Sequence, residues 1–199
     1  MRFCAFGRWH MNIRTSFSRS ARLLSNTRAL TMAAMLIALN VALASVRVQI
    51  TPELRLSIGF VTQAAAGMLL GPVIAMLTGA AGDLVSLLCF PSGAFFPGYT
   101  LTAVVGGLLY GLMLFGRQRV GYLRALMAKG LVSLVCNILL NTLWLTMTTG
   151  QGMLALLPAR LIKNLCLLPI EALLLFMTAS TVRMIMRRLN FSFKERVKN

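Results

Sequence analysis

The chain has 199 residues, of which 58% are hydrophobic and only four are Asp or Glu, and its mean hydropathy is +0.79. Too few polar residues remain to cover that apolar surface in water, which excludes a water-soluble domain and leaves an integral membrane protein. The net charge of +16 sits at the tails and between hydrophobic blocks rather than along one amphipathic face, so it reads as a topology signal and not as a nucleic-acid surface.

The first 25 residues carry Arg2, Arg8, Arg14, Arg19 and Arg22 and no acid. They lack the continuous apolar run of a secretory signal, and despite a superficial likeness to an organelle transit peptide they read as a basic tail lying on anionic lipid. Six apolar stretches follow, at about 29–46, 56–71, 72–90, 98–116, 125–148 and 158–186. Each approaches the roughly 17 to 25 residues that cross a bilayer core about 30 Å thick. The expected fold is all-α, with six transmembrane helices in a membrane domain over 28–188, a basic N-terminal tail over 1–27 and a basic C-terminal tail over 189–199.

In the first span Ala34, Ala38 and Ala42 recur every fourth residue and form a ridge that lets another helix approach closely. Gly67 and Gly71, like Gly107 and Gly111, have the same spacing and read as internal packing. Gly71-Pro72 is a tight breaker between the second and third spans, with Pro opening the next helix, so the second span is short or tilted. Asp83, in GAAGD, lies about 16 Å from Pro72 at 1.5 Å per residue, near mid-membrane, where it has to be paired, hydrogen-bonded or protonated. The stretch CFPSGAFFPGYT, Cys89 to Thr100, combines four aromatics, two prolines and two glycines without charge, the composition of a rigid loop that stacks on a flat ligand.

In the fifth span Ser133, Asn137, Asn141, Trp144 and Thr148 recur at helical spacing and define a polar stripe that faces protein or ligand, not lipid. Asn137, the deeper, reads as an inter-helix hydrogen bonder; Asn141 and Trp144 divide between that role and ligand contact. The sixth span opens with LLPARLIKN, where Pro158 suits a first turn and Arg160, Lys163 and Asn164 crowd one face near the positive end of the helix dipole. That arrangement favours a carboxylate. Glu171 lies deep in the same span with no partner to name.

Six spans place both termini on one side. Of the 20 Lys and Arg residues, 16 fall on that side, including Arg117, Arg119, Arg124 and Lys129 after the fourth span, so the termini are expected in the cytoplasm. Arg47, Arg55, Arg160 and Lys163 fall outside, either as interfacial anchors or to capture an anionic ligand. Cys4, Cys89, Cys136 and Cys166 lack metal-ligand spacing, and His10 has no metal partner nearby, so no metal, disulfide or cofactor is assigned. No nucleotide-binding loop, zinc HExxH pair or GxSxG elbow is present, so the chain is not read as an enzyme and any energy for uphill transport has to come from another subunit.

The AxxxA ridge, the Gly-Pro junction, GAAGD, FPSGAFFPGYT, NTLW and LPARLIKN occur in the order that resembles the substrate-binding S component of an energy-coupling factor (ECF) vitamin transporter, its folate-specific branch most closely. The resemblance covers roughly residues 28–186. It implies a plasma-membrane protein of a prokaryote that captures folate from outside and docks on a transmembrane coupling subunit driven by two ATPase subunits. It also implies that Ala34 and Ala38, with Ala42 as an extension, contact the coupling subunit. The residues suit folate chemically. Phe95, Phe96, Tyr99 and Trp144 offer stacking surfaces, Asn141 and Asn164 hydrogen bonds to a ring edge, and Arg47, Arg55, Arg160 and Lys163 partners for carboxylates. Open alternatives are an S component for riboflavin, pantothenate or a thiamine-like vitamin, a membrane scaffold whose polar stripes bind only its own helices, and an intramembrane enzyme using Asp83 and Glu171.

Overall fold

A long apolar chain in lipid has to satisfy its backbone internally, and this one does so almost wholly in helices. The structure is a computed structural model and describes residues 13–45, 48–51, 54–56, 58–90, 96–116, 120–150 and 153–188. Helix α1 (Ile13–Leu23) leads through a short turn into α2 (Thr27–Ser45). Asn26 starts α2, its Oδ1 accepting from the Arg28 N–H at 3.1 Å and filling one of the donors a helix start leaves open. A hairpin of β1 (Val48–Thr51) and β2 (Leu54–Leu56), antiparallel with an irregular register, follows α2. Strands this short leave no alternation to read, and the sequence analysis did not anticipate them.

Helix α3 (Phe60–Cys89) is interrupted at Gly71, whose φ of 83° and ψ of −177° belong to glycine almost alone. The chain doubles back there. Gln63 Nε2 donates to the Ala103 carbonyl and also faces Gly79, and residues 63 and 79 can meet only if 60–70 and 72–89 are antiparallel arms. Helix α4 (Pro97–Leu114) packs against both arms. Gly107 faces the Ala75 backbone and Gly111 faces Pro72, while a Cβ on Gly67 would stand 2.8 Å from the Gly111 nitrogen. These glycines serve internal packing, as their spacing suggested.

Helix α5 (Tyr122–Val132), a π-helical stretch (Ser133–Leu140) and α6 (Asn141–Thr149) form one continuous rod, and α7 (Met153–Arg188) closes the bundle. The six expected spans therefore correspond to α2, the two arms of α3, α4, the α5–α6 rod and α7. Counted as unbroken elements among the described residues, with α3 taken whole, five are long and apolar enough to cross a membrane. One boundary is corrected. α7 begins at Met153, so Pro158 lies inside the helix and Arg160 is not in its first turn. The apolar residues before Pro158 extend the helix, although an interior proline removes one backbone hydrogen bond and crowds the carbonyl one turn earlier. Large apolar side chains face outward along the bundle, among them Leu88 at 81% and Leu165 at 71% exposure, as expected where lipid is the solvent.

The reversal at Gly71 is closed from below by α1. The Ser20 hydroxyl donates to the Leu70 carbonyl at 2.8 Å and accepts from the N–H groups of Val73 and Ile74 at 3.1 and 3.3 Å. One buried side chain thus serves the end of one arm and the start of the next. Leu23 adds an apolar anchor with Ala29, Ala33, Leu70 and Ile74, while Arg19 and Arg22 stay exposed.

A Cβ at Gly71 would stand 2.9 Å from both Ser20 and Phe115. Gly71→Ala should therefore destabilise the protein by about 2 kcal/mol or more through clash and backbone strain. Ser20→Ala should cost about 1 to 3 kcal/mol by leaving buried backbone groups unpaired. Thermal unfolding in detergent measures both, and an unchanged transition in Gly71→Ala would contradict the reversal.

Candidate functional site

The first arm of α3 has eleven residues, 60–70, and so rises only about 16 Å, half the thickness of a bilayer core. Beyond its Phe60 end the bundle encloses a cavity of about 350 Å³, within the range of small-molecule sites. Irregular backbone at membrane depth is tolerated where it lines such a space, and Gly59 is part of the wall.

Of the residues singled out in the sequence, Tyr99, Asn141, Arg160, Lys163 and Asn164 line this cavity. Arg160, Lys163 and Asn164 face it from α7 as their spacing suggested. The Arg160 guanidinium donates to the Asn137 carbonyl at 3.4 Å, and Asn164 Nδ2 donates to the Arg160 carbonyl at 2.9 Å. Asn137 Nδ2 donates to Asn164 Oδ1 at 3.3 Å, the inter-helix bond anticipated for it, and Asn137 also reaches the cavity.

Phe96 packs on Tyr99 with centroids 6.0 Å apart and on Trp144 at 5.6 Å. Trp144 Nε1 donates to Thr102 Oγ1 at 3.0 Å, and Tyr99 brings this aromatic cluster to the cavity wall. The polar stripe read on 133–148 is split. Asn137 and Asn141 face the cavity, Trp144 turns to α4, and Thr148 is exposed with its hydroxyl on its own helix. The π-helical stretch changes the angle per residue, so a periodicity of 3.6 no longer predicts a common face.

Arg47 and Phe95 lie outside the described residues. Arg55 falls in β2, paired with Gln49, and its side chain lies outside the described residues as well. Ala34, Ala38 and Ala42 are exposed on the outer face of α2, away from the cavity. Asp83 accepts from Thr100 Oγ1 at 2.8 Å, the bond to an adjacent helix its depth required, and it lines the cavity too.

Lys129 is corrected. Read as part of a basic connection, it is only 2% exposed inside the bundle, 3.3 Å from Glu171 and 3.6 Å from the Phe60 ring centroid. The opposite charge and the ring offset the desolvation that would otherwise keep a lysine at the surface, and Glu171 gains the partner its sequence context did not reveal. Sequence reasoning also passed over Asn40, Gln63 and Tyr110, which line the cavity. Each is one polar group in an apolar helix, which leaves no periodicity but is itself a sign of function in a membrane span.

Similarity to known proteins accords with this architecture. The family described as ECF transporter, substrate-specific component, matches residues 28–179. A "Folate transporter FolT" from Clostridium novyi (strain NT) is 38% identical over 126 residues, covering 63% of this chain and 73% of that one. Another, from Leuconostoc mesenteroides subsp. mesenteroides, is 36% identical over 151 residues, covering 73% and 81%. The crystal structure of FolT bound with folic acid superposes with a TM-score of 0.73 at 30% identity, covering 78% of this chain and 95% of that one.

A Cβ at Gly98 would stand 2.5 Å from both Phe96 and Trp144. In a Trp9→Phe background, which leaves Trp144 as the single tryptophan, Gly98→Ala should displace the indole and shift its fluorescence. An identical emission spectrum would show that the aromatic cluster is not packed as described.

Proposed function

The chain belongs to the family of ECF transporter substrate-specific components, and from that premise we propose that it captures folate in the cavity for ATP-driven uptake. The observation that carries this reading is the wall formed by Arg160, Lys163 and Asn164 on a 350 Å³ cavity beside the Tyr99 aromatic cluster. Folate joins a flat heterocycle to a dicarboxylate. The cations of α7 suit the dicarboxylate and the aromatic cluster suits a ring. The relatives named for folate transport and the likeness to FolT bound with folic acid support the same ligand.

The remaining parts follow from membership and charge. The exposed ridge of Ala34, Ala38 and Ala42 is the docking surface for a transmembrane coupling subunit, and two ATPase subunits supply the energy. The protein sits in the plasma membrane of a prokaryote with its arginine-rich end in the cytoplasm and the cavity opening outward.

Protein purified from cells should release folate identifiable by mass spectrometry, or gain thermal stability when folate is added. If no folate is released and added folate gives no stabilisation, the folate assignment fails. Arg160→Ala and Lys163→Ala should each weaken folate by roughly tenfold or more, the scale of a charge-assisted hydrogen bond, while hardly affecting pteroate, which lacks the glutamate. Equal losses for both ligands would argue against carboxylate capture. Ala38→Trp should block uptake and leave folate binding intact, and normal uptake would remove the ridge from the docking surface.

A further inference from the structure

Away from the cavity, the outer flank of α1 is the charged surface with no role so far. The helix precedes the residues that match the family, yet it packs on α3. Ser20 and Leu23 are buried at the Gly71 reversal, while Arg19 and Arg22, one turn apart, are exposed on another flank. Arg28, at the start of α2, is exposed as well. No acid precedes Glu53 in the chain, and among the described residues none of these three arginines makes an ion pair.

The place of this surface in the fold decides what neutralises it. Ser20, Gly71 and Phe115, which caps α4, meet at one end of the bundle. In the topology proposed for the chain that end is cytoplasmic, which sets the arginines at the surface of the leaflet that carries anionic lipid. Guanidinium forks suit phosphate oxygens.

Eleven residues are too few to hold a helix alone in water, so α1 owes its form to what it touches. Leaving the reversal to lie in lipid would strip the Leu70 carbonyl and the Val73 and Ile74 N–H groups of Ser20, and would carry the Ser20 hydroxyl into the acyl boundary. An anionic surface therefore binds the seated helix better than the detached one. Such a difference in affinity is what lets a ligand shift an equilibrium.

We propose that anionic lipid headgroups bound by Arg19, Arg22 and Arg28 hold α1 seated, so that the charge of the inner leaflet sets how firmly Ser20 clamps the Gly71 reversal. The interaction is independent of which ligand the cavity takes. It gives the protein a requirement for anionic lipid that acts through a helix break and not through the cavity wall.

The clamp carries its own reporter. The Val73 and Ile74 amides donate to Ser20, so their hydrogen exchange reads how often it is seated. The full-length protein is compared in vesicles of phosphatidylcholine and in vesicles of equal parts phosphatidylcholine and phosphatidylglycerol. Exchange at both amides should slow by about fivefold or more with phosphatidylglycerol, the scale of one arginine at an anionic surface, and high salt should remove the gain. Arg19→Gln/Arg22→Gln/Arg28→Gln should keep the phosphatidylcholine rate and lose the gain, whereas the corresponding lysine variant should retain most of it. Ser20→Ala should exchange fast in both lipids. Equal wild-type rates in the two lipids, or a gain that survives in the glutamine variant or in Ser20→Ala, would overturn the proposal. Faster exchange with phosphatidylglycerol would do the same, as the sign of a helix drawn off the reversal. Protection that rises only when the coupling module is added would assign the surface to a protein partner and also overturn it.

Discussion

The reversal at Gly71 is the constraint on which the rest depends. A helix that turns back after eleven residues rises through only about half of the bilayer core, and the space it leaves unfilled beyond Phe60 is the cavity. The turn needs a backbone conformation open to glycine, a proline to start the returning arm, and partners for the polar groups exposed at a break in low dielectric. Ser20 supplies those partners from outside the six spans. A residue in the arginine-rich N-terminal segment, ahead of the region that matches the family, therefore holds the helix break that creates the cavity.

Inside the bundle the polar groups occur as matched sets. Asp83 has Thr100, Asn137 has Asn164, and Lys129 has Glu171. Burying an ion pair gains little stability over apolar residues of similar size, since desolvation consumes most of the attraction. Stability alone therefore gives no reason to keep Lys129 and Glu171 in a membrane core. Their place on the cavity wall supplies one.

The sequence carried the helices more plainly than the site. Apolar runs and the Gly71-Pro72 break expose the spans because lipid imposes length and hydropathy directly. Arg160, Lys163 and Asn164 were legible because they are neighbours on one face of one helix. Asn40, Gln63, Tyr110 and Lys129 come one each from different elements and meet only after the chain has folded, so no local pattern unites them. Lys129 misled further, since a lysine seven residues into α5 is counted by its distance from a loop, and a count cannot know that Glu171 waits opposite. Of the stretch read as a rigid aromatic loop, residues 91–95 lie outside the described residues and Pro97 to Thr100 open α4, where the absence of a side chain at Gly98 lets Phe96 and Trp144 close over it.

Helix α2 shows how one span can serve two surfaces. Ala29 and Ala33 pack toward α3, Asn40 lines the cavity, and Ala34, Ala38 and Ala42 face outward. The inward attachment also rests on small residues: a Cβ on Gly82 would stand 2.8 Å from the Asn40 amide, so α2 and the second arm of α3 lie close there. An exposed ridge of small residues gives a partner helix close approach but few large side chains to interlock, and in lipid no hydrophobic effect drives the two together. Such a surface would suit the docking proposed for it, if that contact forms and separates repeatedly.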